Sequence, residues 1–481
     1  MKLRSEVGLT FDDVLLVPKR SAIRSRSAVN TETTLVPGIR MAIPVISSNM
    51  DTVTEAPMAI AMAHEGGIGI VHRFMTIEKQ AECVRKVKRH ESFIVENPVC
   101  IPPTITLEEA RREMDEIGIG GLMVVDDDGR LLGVVTTRDV LLAPDASVLV
   151  EEVMTPQSKL VVASADEPYE EARLKLYLHR IEKLPVVDDE NHVVGLITAQ
   201  DVIKFHKHPQ TTKDDKGRLR VGVALGVRRE DMKRAAACIR EGADVLVVDV
   251  AHGHADHTLS MVRRLKERFP NVPVIAGNVA TPDGVRDLVD AGADAVKVGV
   301  GAGSICITRV VTGFGVPQLT AVAECAEVGH ALGIPIIADG GIRTSGDMTK
   351  ALAAGASSVM LGSLLAGTEE SPGAAVIRGG KRFKIVRGMA SLTANVDRKA
   401  IEKQEEPEVE EWGEIVPEGV EAVVPYRGLV GDILHQFIGG LRSGMSYAGA
   451  LTIEELWENA EFIRITAAGQ KESGVHDVNV L

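Results

Sequence analysis

The residues best suited to covalent chemistry lie in segment 299–318, where Cys306 follows a glycine-rich turn. The valine-rich run 294–298 before it is typical of a short buried strand, which would hold the turn in one place. Three glycines leave backbone amides and carbonyls of this turn open to a ligand: Gly299, Gly301 and Gly303. A thiol held there, with Thr308 two residues on, is placed for nucleophilic chemistry. The alternative is that Cys306 is a small buried hydrophobe, which is the usual environment of a lone cysteine.

Carboxylates and glycines at other predicted loops could hold the ligand of this thiol. Asp339 is suited to a ribose diol, and the glycines after it, including Gly341, let amides approach a phosphate. Gly362 and Ser363 offer a second phosphate-binding turn. A nucleoside monophosphate bound there would lay its base toward Cys306, whose thiolate can add to an electron-poor purine carbon such as C2.

Asp249 and Asn278 follow two further predicted strands and could hold a second, dinucleotide ligand. Taken alone, Asp249 or Asp339 could instead be a carboxylate that caps a loop. Their expected position on one face of the fold favours the binding role.

That expectation comes from eight short apolar runs, most of them followed by a helical pattern. The predicted strands are 44–48, 68–71, 220–225, 244–250, 272–278, 294–299, 334–340 and 358–362. Repeated strand–helix units predict an α/β fold, a (β/α)8 TIM barrel with insertions. Unusual polar segments follow six of the strands: SSNMD, DVAHGH, GNVAT, GAGSIC, DGGIRTSGD and GSLLAG. In such barrels the C-terminal ends of the strands build the active site, so we expect these segments at one mouth.

Composition limits the classes of partner and compartment. The 481 residues leave room for more than one domain, and the formal charge of −14 disfavours a nucleic-acid partner. No stretch is apolar for long enough to span a bilayer, and the N-terminus lacks a signal-peptide core, so we expect no membrane association. Five scattered cysteines without CxxC spacing argue against disulfides or zinc and for a reducing cytoplasm.

An internal repeat interrupts the barrel pattern. Residues 119–140 align without a gap on residues 181–202, a shift of 62 residues. The repeat resembles a tandem pair of cystathionine-β-synthase-type (CBS) motifs, a Bateman domain that often binds adenine nucleotides. The resemblance implies that four residues form regulatory nucleotide sites, the aspartates by contact with ribose hydroxyls: Thr136, Asp139, Thr198 and Asp201. The alternative is a purely structural module. We therefore expect a catalytic barrel in 1–92 and 209–481 and a CBS regulatory domain in 93–208.

Motifs along nearly the whole chain resemble the IMP dehydrogenase and GMP reductase family. They include LTFDDVLLVP, MDTVTE, EGGIGIVH, GNVAT, GSICITR, GVPQLTAV, LGSLLAGTEESPG, RGM, PEGVE, GGLRSGM and ESGVHDV. The resemblance implies a (β/α)8 barrel, a homotetramer or octamer, and Cys306 as the nucleophile that forms a thioimidate at purine C2.

The same resemblance implies further roles, position by position. Ribose and phosphate would be bound by Ser304, Asp339, Gly341, Gly362 and Ser363. The base would be met by Ser48, Met50, Gly388, Met389 and Glu418. Asp249 and Asn278 would hold the nicotinamide cofactor, and backbone carbonyls of Gly301, Gly303 and Cys306 would bind a potassium ion.

The two activities of this family differ in the fate of the covalent adduct. Dehydrogenases oxidise IMP with NAD and hydrolyse the adduct, using an arginine and a tyrosine on a mobile flap to activate water. Reductases use NADPH to convert GMP to IMP and ammonia. In the expected flap, about residues 390–416, Arg398 matches the arginine, but Lys399 stands where the tyrosine is expected. General-base catalysis is worth about 10²–10⁴-fold, so hydrolysis should be slow here.

A reductase needs no activated water, only a way to protonate the departing amine, for which Thr308 and Glu418 are available. The sequence therefore favours a GMP reductase that uses NADPH and is regulated by ATP or GTP at the CBS pair. An NAD-dependent IMP dehydrogenase is the alternative. A third hypothesis is an inactive, nucleotide-sensing scaffold, against which the intact set of catalytic side chains argues.

Overall fold

The computed structural model describes residues 3–90, 94–96, 98–143, 145–164, 167–200, 202, 210–403 and 416–475, excluding the side chains of 169 and 398–403. The chain divides into two compact units. The first consists of Met1–Lys88, Gln210–Thr212 and Leu219–Leu481, and the second of Arg89–Pro209 and Lys213–Arg218. The flap residues 404–415 and Asp201 lie outside the described residues.

The first unit contains a closed barrel of eight parallel strands in which each strand pairs with its neighbours in chain order. The strands are β1 (Val45–Ser47), β2 (Ile68–Val71), β3 (Val221–Leu225), β4 (Val245–Asp249), β5 (Val274–Val279), β6 (Ala295–Val298), β7 (Ile336–Asp339) and β8 (Ser358–Leu361). Each lies within, or within one residue of, a run that the sequence predicts. The predicted (β/α)8 fold is confirmed.

Helices on the outside of the barrel alternate with these strands. They are α1 (Ala56–His64), α2 (Ile77–His90), α3 (Asp231–Arg240), α4 (Asp256–Arg268), α5 (Pro282–Asp290), α6 (Gln318–Leu332), α7 (Ser345–Ala353) and α8 (Val430–Ala448). Helix α8 contacts both α7 and α1, so the ring of helices is closed.

Shorter elements complete the first unit. They are two 3-10 turns (Phe11–Asp13, Arg26–Ala28), paired strands (Val14–Leu16 with Phe462–Arg464, Thr33–Val36 with Ile39–Met41), a three-stranded sheet (Ala375–Arg378, Lys381–Arg387, Glu421–Pro425) and helices Thr308–Thr312, Ser363–Ala366, Leu392–Lys403, Ile453–Asn459 and Ala467–Glu472. Within the described residues, no helix combines the length and apolar character needed to cross a membrane.

The barrel interior changes from apolar to polar along its axis. Inward side chains such as Val247 and Ile337 form one cluster with the hairpin Thr33–Met41, which covers the N-terminal end of the strands. Side chains in a strand alternate between its faces, so the next inward positions are two residues further on. Those positions are Asp249, Lys297 and Asp339. The C-terminal end of the interior is therefore a polar layer.

The second unit shows the internal repeat as two four-stranded sheets. One contains Cys100–Ile101, Gly121–Val125, Leu131–Thr136 and Thr155–Pro156; the other contains Ala163–Ser164, Lys183–Val187, Val193–Thr198 and Val95–Glu96. Helices Leu107–Ile117, Thr137–Leu142, Val150–Val153 and Tyr169–His179 and a 3-10 turn, Gln157–Lys159, complete it. In both sheets the first two strands are parallel and the other pairs are antiparallel.

One of the predicted nucleotide-binding aspartates caps a helix in this structure. The Asp139 carboxylate accepts hydrogen bonds from the backbone N and the hydroxyl of Thr136, at 2.8 and 2.7 Å. Nucleotide binding by these residues and by Thr198 stays a prediction.

Adjacent glycines in α8 test how this helix packs against α7. A Cβ atom at Gly440 would lie 2.4 Å from the Cβ of Ser345, whereas a Cβ at Gly439 would meet nothing within 4 Å. We expect Gly439→Ala to raise the free energy of unfolding by about 0.5–1 kcal/mol, because alanine loses less backbone entropy in a helix. Gly440→Ala should lower it by about 1–3 kcal/mol through overpacking. Urea unfolding measures both, and shifts of the same sign would contradict the packing.

Candidate active site

Two pockets with shared walls open at the C-terminal ends of the barrel strands. We call them the Gly341 pocket, of about 290 Å³, and the Cys306 pocket, of about 300 Å³. Both are lined by Ser48, Met50, Ala302, Gly303, Ile305, Asp339 and Gly340. Together they form one continuous groove across the barrel mouth.

The structure brings the predicted barrel residues together in this groove. The Gly341 pocket adds Ser304, Gly341, Gly362 and Ser363, which are the residues expected to bind phosphate and ribose. The Cys306 pocket adds Asp249, Asn278, Gly301, Cys306, Thr308, Gly388, Met389 and Glu418. The individual roles assigned to them remain predictions.

Close backbone contacts shape the Gly341 pocket. Gly340 and Gly341 have φ angles of +96° and +80°, a region that residues with a side chain rarely adopt. A Cβ at Gly340 would lie 3.0 Å from the backbone N of Gly303, so the loops after β6 and β7 touch main chain to main chain. Val386 is fully buried and lines neither pocket.

Backbone hydrogen bonds hold the Cys306 turn to the segment 418–420. Ile307 N donates to the Glu418 carbonyl at 2.8 Å, and Val420 N donates to the Ile305 carbonyl at 3.0 Å. Cys306 therefore forms an isolated antiparallel bridge with Gly419. The position of the thiol depends on a segment that is remote in sequence.

Three side chains form a hydrogen-bonded chain at this junction. The Cys306 thiol donates to the Thr308 hydroxyl, with Sγ 3.2 Å from Oγ1. The Thr308 hydroxyl donates to Oε2 of Glu418 at 2.7 Å. A proton can move along this chain between the thiol and the carboxylate, which is what an activated nucleophile requires.

The other cysteines are poorly suited to this chemistry. All five are free thiols, and burial raises the pKa values of Cys238 and Cys325 to about 12. Burial also raises the pKa values of Cys83 and Cys100. None of these four lines either pocket.

At the base of the groove, Lys297 links the side chains of the polar layer to one another. Its Nζ lies 2.6 Å from Oδ1 of Asp249 and 2.6 Å from Oδ2 of Asp339, and it also donates to Oδ1 of Asn278. The Asn278 amide donates to Asp339 at 3.0 Å, and Asn49 donates to Asp249 at 2.7 Å.

Charge pairing overcomes burial in this layer. Burial alone would raise the pKa of Asp249, but the Lys297 ammonium outweighs it and the pKa is lowered. Burial would likewise lower the pKa of Lys297, but the two carboxylates raise it. Asp249 and Lys297 are therefore both charged at neutral pH.

The strand β5 has an irregularity that places Asn278 in the layer. The β5–β6 register shifts between Gly277 and Val279, and Val279 packs into the core. Such a bulge re-aims the side chain between these residues, so Asn278 reaches the interior.

A second charged residue, the half-buried Arg387, links the start of the flap to the barrel. Its Nε donates to Oδ2 of Asp51, which follows β1, at 2.7 Å. Its Nη1 lies 2.7 Å from Oδ2 of Asp397 and donates to the Thr393 hydroxyl at 3.1 Å, both in helix Leu392–Lys403. The pKa of Arg387, which burial would lower, is raised by Asp51 and Asp397.

Sequence reasoning did not identify several residues of the site. They include Asn49, Arg73, Phe74, Lys297, Gln318 and Arg387. For Lys297 a signal exists: a single lysine inside an apolar barrel strand, AVKV, must find a buried anionic partner.

Comparison with known proteins identifies the family. The family model of the IMP dehydrogenase / GMP reductase domain matches residues 8–476. The inosine-5'-monophosphate dehydrogenase of Nitrosopumilus maritimus is 54% identical over 471 residues, 98% of either chain. The GMP reductase of Leishmania donovani is 50% identical over 483 residues, again 98% of either chain. A crystal structure of Trypanosoma brucei GMP reductase with guanosine 5'-monophosphate superimposes with a TM-score of 0.89 at 47% identity, covering 98% of each chain.

Arg387 binds two carboxylates whose burial differs, so we expect the same substitution to lower the free energy of unfolding by different amounts. The side chain of Asp51 is 7% exposed, whereas that of Asp397 is 51% exposed. We expect Asp51→Asn to lower the free energy of unfolding by about 1.5–3 kcal/mol, because a buried charge-assisted bond is lost. Asp397→Asn should cost less than about 1 kcal/mol, since water screens this pair. Urea unfolding tests the difference, and equal costs would contradict it.

Proposed function

Because the chain belongs to the IMP dehydrogenase / GMP reductase family, we propose that it is a GMP reductase, which converts GMP to IMP and ammonia with NADPH. The family expected from the sequence motifs is confirmed. The choice between the two activities is our proposal: the hydrogen-bonded chain from Cys306 through Thr308 to Glu418 supports the covalent chemistry of either activity, and Lys399 in place of the expected flap tyrosine favours the reductase.

In this proposal GMP lies along the groove. Its phosphate occupies the Gly341 pocket, its ribose diol binds Asp339, and its base reaches the Cys306 pocket. The nicotinamide cofactor enters beside Asp249 and Asn278, whose carboxylate and amide suit ribose hydroxyls and a carboxamide.

Proton transfer along the chain serves both halves of the deamination. The thiol proton passes from Cys306 through the Thr308 hydroxyl to Glu418, and the thiolate adds to C2 of GMP. Glu418 returns that proton, again through Thr308, to the C2 amine, which leaves as ammonia while a C2–Sγ thioimidate remains.

NADPH, when bound, supplies the hydride that reduces C2. The C2–Sγ bond then breaks, IMP leaves, and one proton from solvent restores the Cys306 thiol. The balance is GMP, NADPH and one proton to IMP, NADP⁺ and ammonia. None of these steps requires a base on the flap.

An IMP dehydrogenase that uses NAD and forms XMP is the second candidate. The Nitrosopumilus maritimus relative, at 54% identity over 98% of either chain, is named for that activity. The same chain of side chains would serve its oxidative half. Its hydrolytic half, however, needs a flap base, and Lys399 replaces the expected tyrosine.

Other expectations from the sequence join this proposal. The backbone carbonyls of Gly301, Gly303 and Cys306 fit a potassium ion, because carbonyl oxygens replace its hydration shell in proteins. The Gly303 carbonyl oxygen already accepts a hydrogen bond from Cys306 N at 3.1 Å, and its second lone pair is left for the ion. The free thiols fit a reducing cytoplasm. A homotetramer or octamer, and regulation by ATP or GTP at a CBS pair in 93–208, complete the proposal.

An absorbance assay separates the two activities. Purified protein with GMP and NADPH should consume NADPH, while IMP with NAD should give little NADH, because the adduct would not be hydrolysed. Steady NADH formation without NADPH loss would instead make the protein a dehydrogenase. Absence of both reactions, without labelling of Cys306 by a 6-chloropurine nucleotide, would favour the inactive scaffold. The same assay with millimolar ATP or GTP tests regulation.

Removing the acid of the proposed chain should stop deamination but not binding. Glu418→Gln should lower kcat for GMP by about 10²–10⁴-fold, the usual worth of general acid–base catalysis, with little change in GMP affinity. The matched control is Glu421→Gln, which alters another threonine–glutamate pair, Thr393 Oγ1 to Glu421 Oε1 at 2.5 Å, outside both pockets. Comparable losses of kcat in both variants would contradict the role of Glu418.

A further inference from the structure

The side chain of Lys297 lies between the two carboxylates that face the two expected ligands. Asp339 belongs to both pockets, and Asp249 lines only the Cys306 pocket. The Lys297 side chain is 1% exposed, whereas those of Asp249 and Asp339 are 23% and 21% exposed. The ammonium is thus under the floor of the groove, and the carboxylates reach its surface.

Strand β5 approaches the backbone of this lysine closely at Gly277. A Cβ atom at Gly277 on β5 would lie 2.7 Å from the Cβ of Lys297 and 2.6 Å from its carbonyl oxygen. Any larger residue at position 277 would displace Lys297 on β6. The two strands therefore pack tightly against one another beside the polar layer.

The chemistry of the layer requires a cation at this point. Two carboxylates that converge in a barrel interior repel one another, and one of them would take up a proton. A protonated carboxyl is a poorer acceptor for a ribose hydroxyl than a carboxylate. Lys297 pairs with both carboxylates, and since each carboxylate has about four lone-pair sites, both can still accept a hydrogen bond from a ligand.

We propose that Lys297 is a positioning residue that fixes Asp339 for the substrate ribose and Asp249 for the cofactor in one rigid layer. The inference rests on the proposed assignment of these carboxylates to the two ligands. Loss of this one lysine should weaken the binding of two ligands at once, because each of them binds a carboxylate that Lys297 holds. Groups that are already held in the binding geometry bind a ligand more tightly, because less conformational entropy is lost on binding.

The barrel offers a matched control at its other end. Asp244, immediately before β4, lies 2.7 Å from Nζ of Lys88, and these side chains are 7% and 4% exposed. Both lysines are thus buried and paired with an aspartate at an end of β4. Of the two, Lys297 lies at the C-terminal end of the strands, where the groove is, whereas Lys88 lies at the N-terminal end and lines neither pocket.

The test compares Lys297→Met, Lys297→Arg and Lys88→Met in the full chain. Lys297→Met should raise the KM of the nucleotide and of the nicotinamide cofactor, each by about tenfold or more, and weaken GMP binding in calorimetry to match. Lys297→Arg should recover part of both, since guanidinium is always charged and can bind two carboxylates. Lys88→Met should lower the unfolding midpoint and leave both KM values within about twofold of wild type.

Several outcomes would overturn the inference. Unchanged KM values in a folded Lys297→Met, or equal KM shifts in Lys88→Met, would assign Lys297 to stability alone. If Lys297→Met does not fold, Lys297→Gln, whose amide still donates to one carboxylate, replaces it in the same comparison. The kinetics use whichever reaction the wild type catalyses. A wild type that oxidises IMP therefore overturns the proposed function but not the role of Lys297.

Discussion

A single ammonium group, Nζ of Lys297, pairs with both aspartate carboxylates at the C-terminal ends of the barrel strands. Closing eight parallel strands brings their C-terminal ends together, so the carboxylates of Asp249 and Asp339 necessarily converge. The desolvation of each charge is offset by close pairing and by the amides of Asn49 and Asn278. The groove above this layer keeps its shape and its charge because the layer is fully paired.

The reacting groups above the layer are fixed by main-chain contacts rather than by local turns. The Cys306 turn and the segment that carries Glu418 form backbone hydrogen bonds to one another in both directions. The distances of 3.2 Å and 2.7 Å along the side-chain chain therefore depend on this pairing. Segment 418–420 follows the flap directly, and Arg387 joins the start of the flap to Asp51 beside the barrel. Both ends of the flap are therefore held close to Cys306.

The sequence predicts the barrel well because buried parallel strands are short, nearly continuous apolar runs. It also predicts which residues meet at the barrel mouth, since glycines, Asp249 and Asp339 lie at the ends of such runs and the strand ends must share one mouth. It does not predict which side chains hydrogen-bond to each other. Asn49 and Asp249, like Arg387 and Asp51, are far apart in the sequence and come together when the barrel closes. Lys297 was missed for a different reason. One charged residue within an apolar strand is easily taken for a surface position until its two carboxylates are known.

Overall similarity does not separate the two activities, since a dehydrogenase and a reductase are 54% and 50% identical to this chain. The chain from Cys306 to Glu418 does not separate them either, because a carboxylate that takes the thiol proton is useful in both. The difference arises after the adduct forms. Hydrolysis needs a group that removes a proton from water, and a lysine ammonium at position 399 has no free lone pair to do so. Departure of ammonia needs a proton instead, which in the proposed mechanism comes from Glu418 after it has accepted the thiol proton. The proposed reductase activity therefore depends on the fate of the adduct and not on overall similarity.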